Sequence, residues 1–180
     1  MAHPTCSNGF SLVELLASVS IVGILLTLGV PSFARFAAEA ELRAQSSALS
    51  VALARGRLRA VETAGMVTVC PSGDATTCQP GTDWSAGWLV FDDAQRLGQP
   101  GAARGVLEAS VLDPSRLLLT STSGRRTVRF RADGTSAGSN VTMTLCNPHH
   151  QGMGRQLVIN NVGRVRSGPL PPGWACRVRS

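Results

Sequence analysis

The sequence predicts an α+β protein with one long N-terminal helix, apolar in its first half, on a small antiparallel β domain. Three observations carry this expectation. Between Glu14 and Arg35 lie 20 consecutive uncharged residues rich in Leu, Ile and Val, about the length a helix needs to cross a bilayer core. From Ser32 to about Thr63 the composition turns to Ala, Arg, Glu, Leu, Gln and Ser, and the apolar residues Leu42, Leu49, Ala52, Leu53, Ala60 and Val61 are spaced to lie on a sheet. After Gly65 come short alternating runs punctuated by Gly, Pro, Asn and Asp, in a stretch that holds four of the five cysteines.

The N-terminal run is not an ordinary secretory signal. Such a signal has a basic start, a shorter apolar run and a small-residue cleavage site after it. Here the small residue, Gly9, precedes the run, and Glu14 stands inside it. A carboxylate in a membrane segment costs roughly 2.5–3.5 kcal/mol at mid-bilayer, so Glu14 calls for a cationic partner on another helix. The stretch Gly9-Phe10-Ser11-Leu12-Val13-Glu14-Leu15-Leu16 resembles the prepilin processing site of type IV pilins and type II secretion pseudopilins. The resemblance implies that a prepilin peptidase cuts between Gly9 and Phe10 and methylates the new amine. Glu14 would then meet the Phe10 amine of a neighbouring subunit as a filament grows. One departure is that the first nine residues, MAHPTCSNG, contain no Lys or Arg. The organisation expected is a leader at 1–9, a membrane or filament-core helix at 10–36, and a periplasmic domain at 37–180. The protein would sit in the inner membrane as a single-pass protein before assembly, and in a pilus at the cell surface after it.

Downstream of Pro31, where a kink is expected, the helix continues to about Thr63. Without the leader it would measure roughly 54 residues, or about 80 Å. Arg55, Arg57 and Arg59 are expected on its solvated side, and Gly65 is expected to end it. Strands are expected at Met66–Cys70, Trp84–Asp92, Val106–Val111, Arg116–Ser121, Arg125–Arg131 and Val141–Cys146. A closing hairpin, Arg155–Asn160 with Arg164–Arg166, is expected before an extended tail from Ser167. The segment Trp84-Ser85-Ala86-Gly87-Trp88-Leu89-Val90-Phe91-Asp92, which follows the Cys70 and Cys78 pair, resembles the globular domain of the GspH/FimT family. This extends the resemblance over most of the chain and implies a type IV pilin-like fold.

Setting aside about 36 residues for leader and membrane helix leaves room for one domain of ordinary size. Four cysteines outside the leader permit three connectivities. The pairing expected is Cys70 with Cys78 and Cys146 with Cys176, each closing a loop within one local region. Charge is distributed unevenly. Phe10 to Asp113 holds 7 Arg against 10 acidic residues, a net of −3, whereas Pro114 to Ser180 holds 10 Arg against Asp133 alone, a net of +9. Such asymmetry points to a polyanion as partner, or to acidic neighbours in a filament.

Little in the sequence suggests catalysis. His149-His150 stands near Cys146, but adjacent histidines splay apart and no zinc-ligand spacing accompanies them. There is no phosphate loop of the P-loop form, so neither an enzyme, a cofactor, a metal nor a small-molecule substrate is expected.

The strongest local pattern is Gly163-Arg164-Val165-Arg166. In a strand, residues two apart share a face, about 6.6–7 Å from each other. Arg164 and Arg166 can therefore reach successive phosphates while Val165 packs inward. Gly163 would supply the positive φ of the turn and keep the approach open. This hairpin resembles the motif of FimT-type minor pilins, which bind DNA in natural transformation. Arg155, Arg177 and Arg179 are expected helpers, and Arg125, Arg129 and Arg131 form a second stripe. The basic half has few aromatics, which favours the backbone of double-stranded DNA over base reading. The function expected is a minor pilin that binds extracellular double-stranded DNA without sequence preference. The alternative is a structural role, as in a FimU-like minor pilin or an H-type pseudopilin of type II secretion. Other pilins and the peptidase are partners in either case.

Overall fold

The computed structural model describes residues 11–101, 105–136, 138, 140–174 and 176, with the side chains at 28 and 29 left aside. The expectations that fall on Gly9, Phe10, Arg177 and Arg179 lie outside the described residues. The elements are α1 (Leu12–Glu62), β1 (Val67–Pro71), β2 (Gly87–Asp92), β3 (Val106–Val111), β4 (Leu118–Ser121), β5 (Val128–Phe130), β6 (Val141–Cys146), β7 (Gly154–Ile159) and β8 (Val165–Pro169). The chain forms two compact units, one ending at Ala37 and one from Ala38 to Ser180.

In the first unit the helix is long and apolar enough to cross a membrane. Its side chains, among them Leu16, Ile21, Ile24 and Leu25, are exposed, which is the surface that lipid or neighbouring helices cover. Three of the hydroxyls it carries bond back to its own carbonyls. Ser18 donates to Glu14, Ser20 to Leu16 at 2.7 Å and Thr27 to Ile24 at 2.8 Å. Back-bonding satisfies a polar group where no water is present, which is why these residues are compatible with a spanning helix.

The second unit is built from two four-stranded antiparallel sheets, ordered β3-β2-β1-β5 and β4-β6-β7-β8. The later part of α1 lays a row of residues on both. Leu42, Leu49, Ala52, Leu53 and Ala60 are buried as the periodicity predicts, in one cluster with Val67, Val69, Trp84, Trp88, Phe130, Met143, Leu157 and Ile159. One expectation for this helix is corrected, and one core residue was not foreseen. Val61 is 48% exposed rather than packed. Ser46, a polar residue, fills the core row instead, and its hydroxyl lies 3.1 Å from that of Ser167 in β8.

The helix end also departs from expectation. The left-handed residue is Ala64, with φ +48°, and not Gly65. Gly65 N–H donates to Ala60 O at 3.0 Å and Ala64 N–H to Val61 O at 3.2 Å, the paired bonds of a Schellman motif. Its geometry places the positive φ one residue before the glycine.

The three helix arginines lie on the solvated side as expected, Arg55 exposed and Arg57 and Arg59 half-buried, but each has a partner. Arg59 pairs with Asp92 at 3.1 Å and Arg55 with Glu108 at 3.3 Å. Arg57 Nε donates to Gly134 O at 2.8 Å. Each is drawn to a strand or turn because the helix lies flat on the sheet and its flanking side chains snorkel along the edges.

Several strands differ in extent from the expectation. Trp84 stands outside β2, with its N–H on Leu119 O at 2.7 Å and its Nε1 on the Ser121 hydroxyl at 3.2 Å. Gly87 begins β2 at φ +134°, and a Cβ there would meet Ser110 O at 2.1 Å. This explains the glycine between the two tryptophans. β5 covers only Val128–Phe130, and β8 runs on to Pro169, into the segment expected to be irregular.

Both expected disulfides are present, Cys70–Cys78 and Cys146–Cys176, with Cα separations of 5.6 and 5.8 Å. The first packs with Leu89 and Phe91 in a second, smaller cluster beside Val106, covering the sheet face turned away from α1. In the loop it closes, the Asp74 carboxylate accepts from the Thr77 hydroxyl and from the Thr76 and Thr77 N–H groups, which hold it well below the usual carboxylate range. These bonds favour the charged form.

Candidate functional site

β7 and β8 form the hairpin that the sequence places around Asn160–Gly163, with Ile159 opposite Val165 and Val158 opposite Arg166. Its turn is closed by Gly163 N–H on Asn160 O at 2.8 Å and Asn160 N–H on Arg164 O at 3.1 Å. The Asn160 side chain also accepts from Arg164 N–H at 2.8 Å. Val165 is half-buried against the main core, while Arg164 and Arg166 on either side of it are exposed. Period-two alternation puts the two guanidiniums on one side of the strand. Among the described residues, neither forms an ion pair.

Gly163 has φ +76°, as its place in the turn requires, but it does not stand open. It is buried, and a Cβ there would come within 2.2 Å of Gly134 O and 3.0 Å of Arg57 Nε. The glycine lets the hairpin tip abut the Asp133–Gly134 turn rather than admitting a ligand. Ser136 N–H donates to Asn161 O at 2.9 Å across the same junction. With the Ser46–Ser167 contact, this fixes the arginine row to the helix and to the other sheet. The backbone under the row is thereby held, so the freedom lost on binding is that of the two arginine side chains.

Arg155 does not extend the row. It pairs with Pro169 and Leu145 in the register that also aligns Leu157 with Ser167 and Met143, which puts it on the face toward α1. There it lines a groove of about 470 Å³ with Arg43, Ser46, Ser50 and Ser167. Arg166, aligned with Val158 and Thr142, belongs to the opposite face.

The second stripe is broken by the shortness of β5. Arg125 lies in the turn before the strand, its N–H on Thr122 O at 2.9 Å. Arg129 pairs with Thr68 in β1 and is half-buried, with its Nε shielded and its Nη2 against Gly98. Only Arg131 is exposed, at the mouth of a pocket that it shares with Arg96. Arg96 is a functional candidate that sequence reasoning missed. It comes from the β2–β3 connection, and its φ of +57° is not signalled by any glycine at that position. His149 Nε2 contacts Ser115 O at 2.9 Å, and among the described residues no cluster of three His, Cys, Asp or Glu is suited to hold an ion.

Glu14 lies in the described part of the helix and is exposed there. Among the described residues it forms no ion pair.

Comparison with known proteins agrees with this architecture. The family model described as type II transport protein GspH matches residues 45–163, and that of the prokaryotic N-terminal methylation motif matches residues 5–30. Two crystal forms of the type IV minor pilin FimU from Pseudomonas aeruginosa share the fold at 22% identity. Their TM-scores are 0.57 and 0.59, and the matches cover 76% and 79% of this chain and 98% and 97% of theirs. No curated protein matches the chain in sequence. A long apolar N-terminal helix, two antiparallel sheets, two disulfides and these family matches lead to one conclusion: the chain belongs to the GspH family of type IV pilin-like proteins.

Proposed function

We propose that this chain is a minor pilin that captures extracellular double-stranded DNA through its backbone, with Arg164 and Arg166 as the principal contacts. The observation that carries the reading is the exposed pair at the start of β8, Arg164 just before the strand and Arg166 within it, on a turn seated through Gly163 and free of carboxylate partners among the described residues. It lies in the stretch from Pro114 to Ser180, whose formal net charge is +9. Phosphate contacts of this kind supply affinity without sequence information. Arg177 and Arg179, at the end of the chain, would add to the same field.

The reading includes maturation by a prepilin peptidase at Gly9-Phe10 and a single-pass inner-membrane stage with the domain in the periplasm. Filament entry is guided by Glu14, paired with the Phe10 amine of the next subunit. A structural role in priming a pilus or pseudopilus is the second reading, favoured by the FimU likeness. Natural transformation separates the two. In a strain that carries Arg164→Gln with Arg166→Gln, DNA uptake should fall while pilus number stays normal. Unchanged uptake, or loss of pili together with uptake, would favour the structural role.

A further inference from the structure

We infer that Arg131 and Arg96 form a second phosphate-contacting pair, which makes the interface favour duplex over single-stranded DNA; the inference rests on the reading of Arg164 and Arg166 given above. Arg131 and Arg96 are both exposed and line one pocket of about 550 Å³ beside the end of α1. Among the described residues neither makes an ion pair. They come from different connections, and the left-handed backbone of Arg96 at φ +57° is uncommon away from glycine.

This pocket adjoins the hairpin through a single junction. Gly134 N–H donates to Arg131 O at 2.8 Å, so Arg131 and Gly134 are ends of one turn, with Cα atoms within about 7 Å. Gly134 O in turn fills the space beside Gly163, and Arg164 is the next residue. Two exposed cation pairs therefore flank two abutting turns. One belongs to the β4-β6-β7-β8 sheet and the other to the end of the β3-β2-β1-β5 sheet.

A duplex presents two rows of phosphates on either side of a groove, the minor one about 6 Å wide, whereas a single strand presents one row. The hairpin pair can follow one row in either case. The Arg131–Arg96 pair gains a phosphate row only when the second strand is present. Asp133 lines the same pocket. Its carboxylate accepts from the Thr135 hydroxyl at 2.6 Å and Thr135 N–H at 2.9 Å, which hold it ionised below the usual carboxylate range. Its charge offsets part of the pair, so the added contact amounts to about one or two phosphates and not more.

The test uses the full chain in a non-ionic detergent, titrated with a labelled duplex and with one of its strands at several salt concentrations. Arg96→Gln with Arg131→Gln should lower the duplex salt slope by about 1–2 and weaken duplex binding several-fold, with single-strand binding unchanged. Arg96→Lys with Arg131→Lys keeps the charges and should retain the wild-type duplex slope. Equal losses on both ligands, or no loss on either, would overturn the inference while leaving the hairpin reading intact. Absence of wild-type binding to either ligand would overturn the hairpin reading itself, and this inference with it.

Discussion

Arg57 Nε donates to the main-chain carbonyl of Gly134 at 2.8 Å, across 77 residues of sequence. The same carbonyl stands where a side chain at Gly163 would have to go. One helix arginine therefore holds the turn on which the hairpin tip rests, and the position of Arg164 depends on a contact at neither end of its own hairpin. Gly163→Ala should cost about 2 kcal/mol or more, because it adds a steric conflict to an unfavourable positive φ. Arg57→Ala should cost about 1.5–3 kcal/mol for the lost charge-assisted bond. Urea unfolding of the two variants checks both values. Gly163→Ala at wild-type stability would show that the junction is loose.

The end of α1 offers a change in the opposite direction. Ala64 holds φ +48° in the Schellman motif, a conformation that costs a residue with a Cβ roughly 1–2 kcal/mol. Ala64→Gly should therefore stabilise the domain by about 0.5–1 kcal/mol, net of the glycine's greater freedom in the unfolded chain. Thermal melting of the variant would show a higher Tm. A lower Tm would mean that the helix end is held by its tertiary contacts and not by its own backbone preference.

The two disulfides close loops of unequal length, with sequence separations of 8 and 30 residues. Loop-entropy scaling gives about 2.5 kcal/mol for the shorter and about 3.6 kcal/mol for the longer. Paired Cys→Ser replacement at Cys146 and Cys176 should accordingly lose about 1 kcal/mol more than replacement at Cys70 and Cys78. The reverse order would indicate that the smaller apolar cluster around Cys70, Leu89 and Phe91 depends on its bridge.

At the N-terminus, Gly9→Val should block trimming, and Glu14→Ala should leave the processed subunit out of pili. Mass spectrometry of membrane fractions checks the first, by the presence or absence of the nine-residue leader. Immunoblots of sheared pili check the second. Trimming of Gly9→Val, or normal incorporation of Glu14→Ala, would remove the role given to that residue.

Much of this molecule was legible from local pattern. The core row of α1 and the alternation around Val165 are properties of helix and strand periods, and they needed no knowledge of distant partners. What could not be read depended on such partners. Ser46 is a core residue because Ser167, from the far end of the chain, meets its hydroxyl. Arg129 looks as exposed as Arg131 in sequence, but the connection around Gly98 closes over it. Arg155 and Arg166 seem neighbours in a basic hairpin until register assigns them to opposite faces. Arg96 carried no signal, because its place beside Arg131 arises from the way the loop after β2 meets the end of α1.

The central claim, that Arg164 and Arg166 hold DNA by its phosphates, is tested most directly by the salt dependence of binding to an unrelated duplex. With about 3–5 phosphates engaged, log K for the wild-type chain should fall against log salt with a slope of roughly −3 to −4.5. In Arg164→Gln with Arg166→Gln the slope should flatten by about 2, with binding weakened alike on every sequence tried. Arg55→Gln with Arg59→Gln should leave the slope unchanged, since both guanidiniums are already paired, with Glu108 and Asp92. An unaltered slope and intact binding in the hairpin double variant would contradict the account.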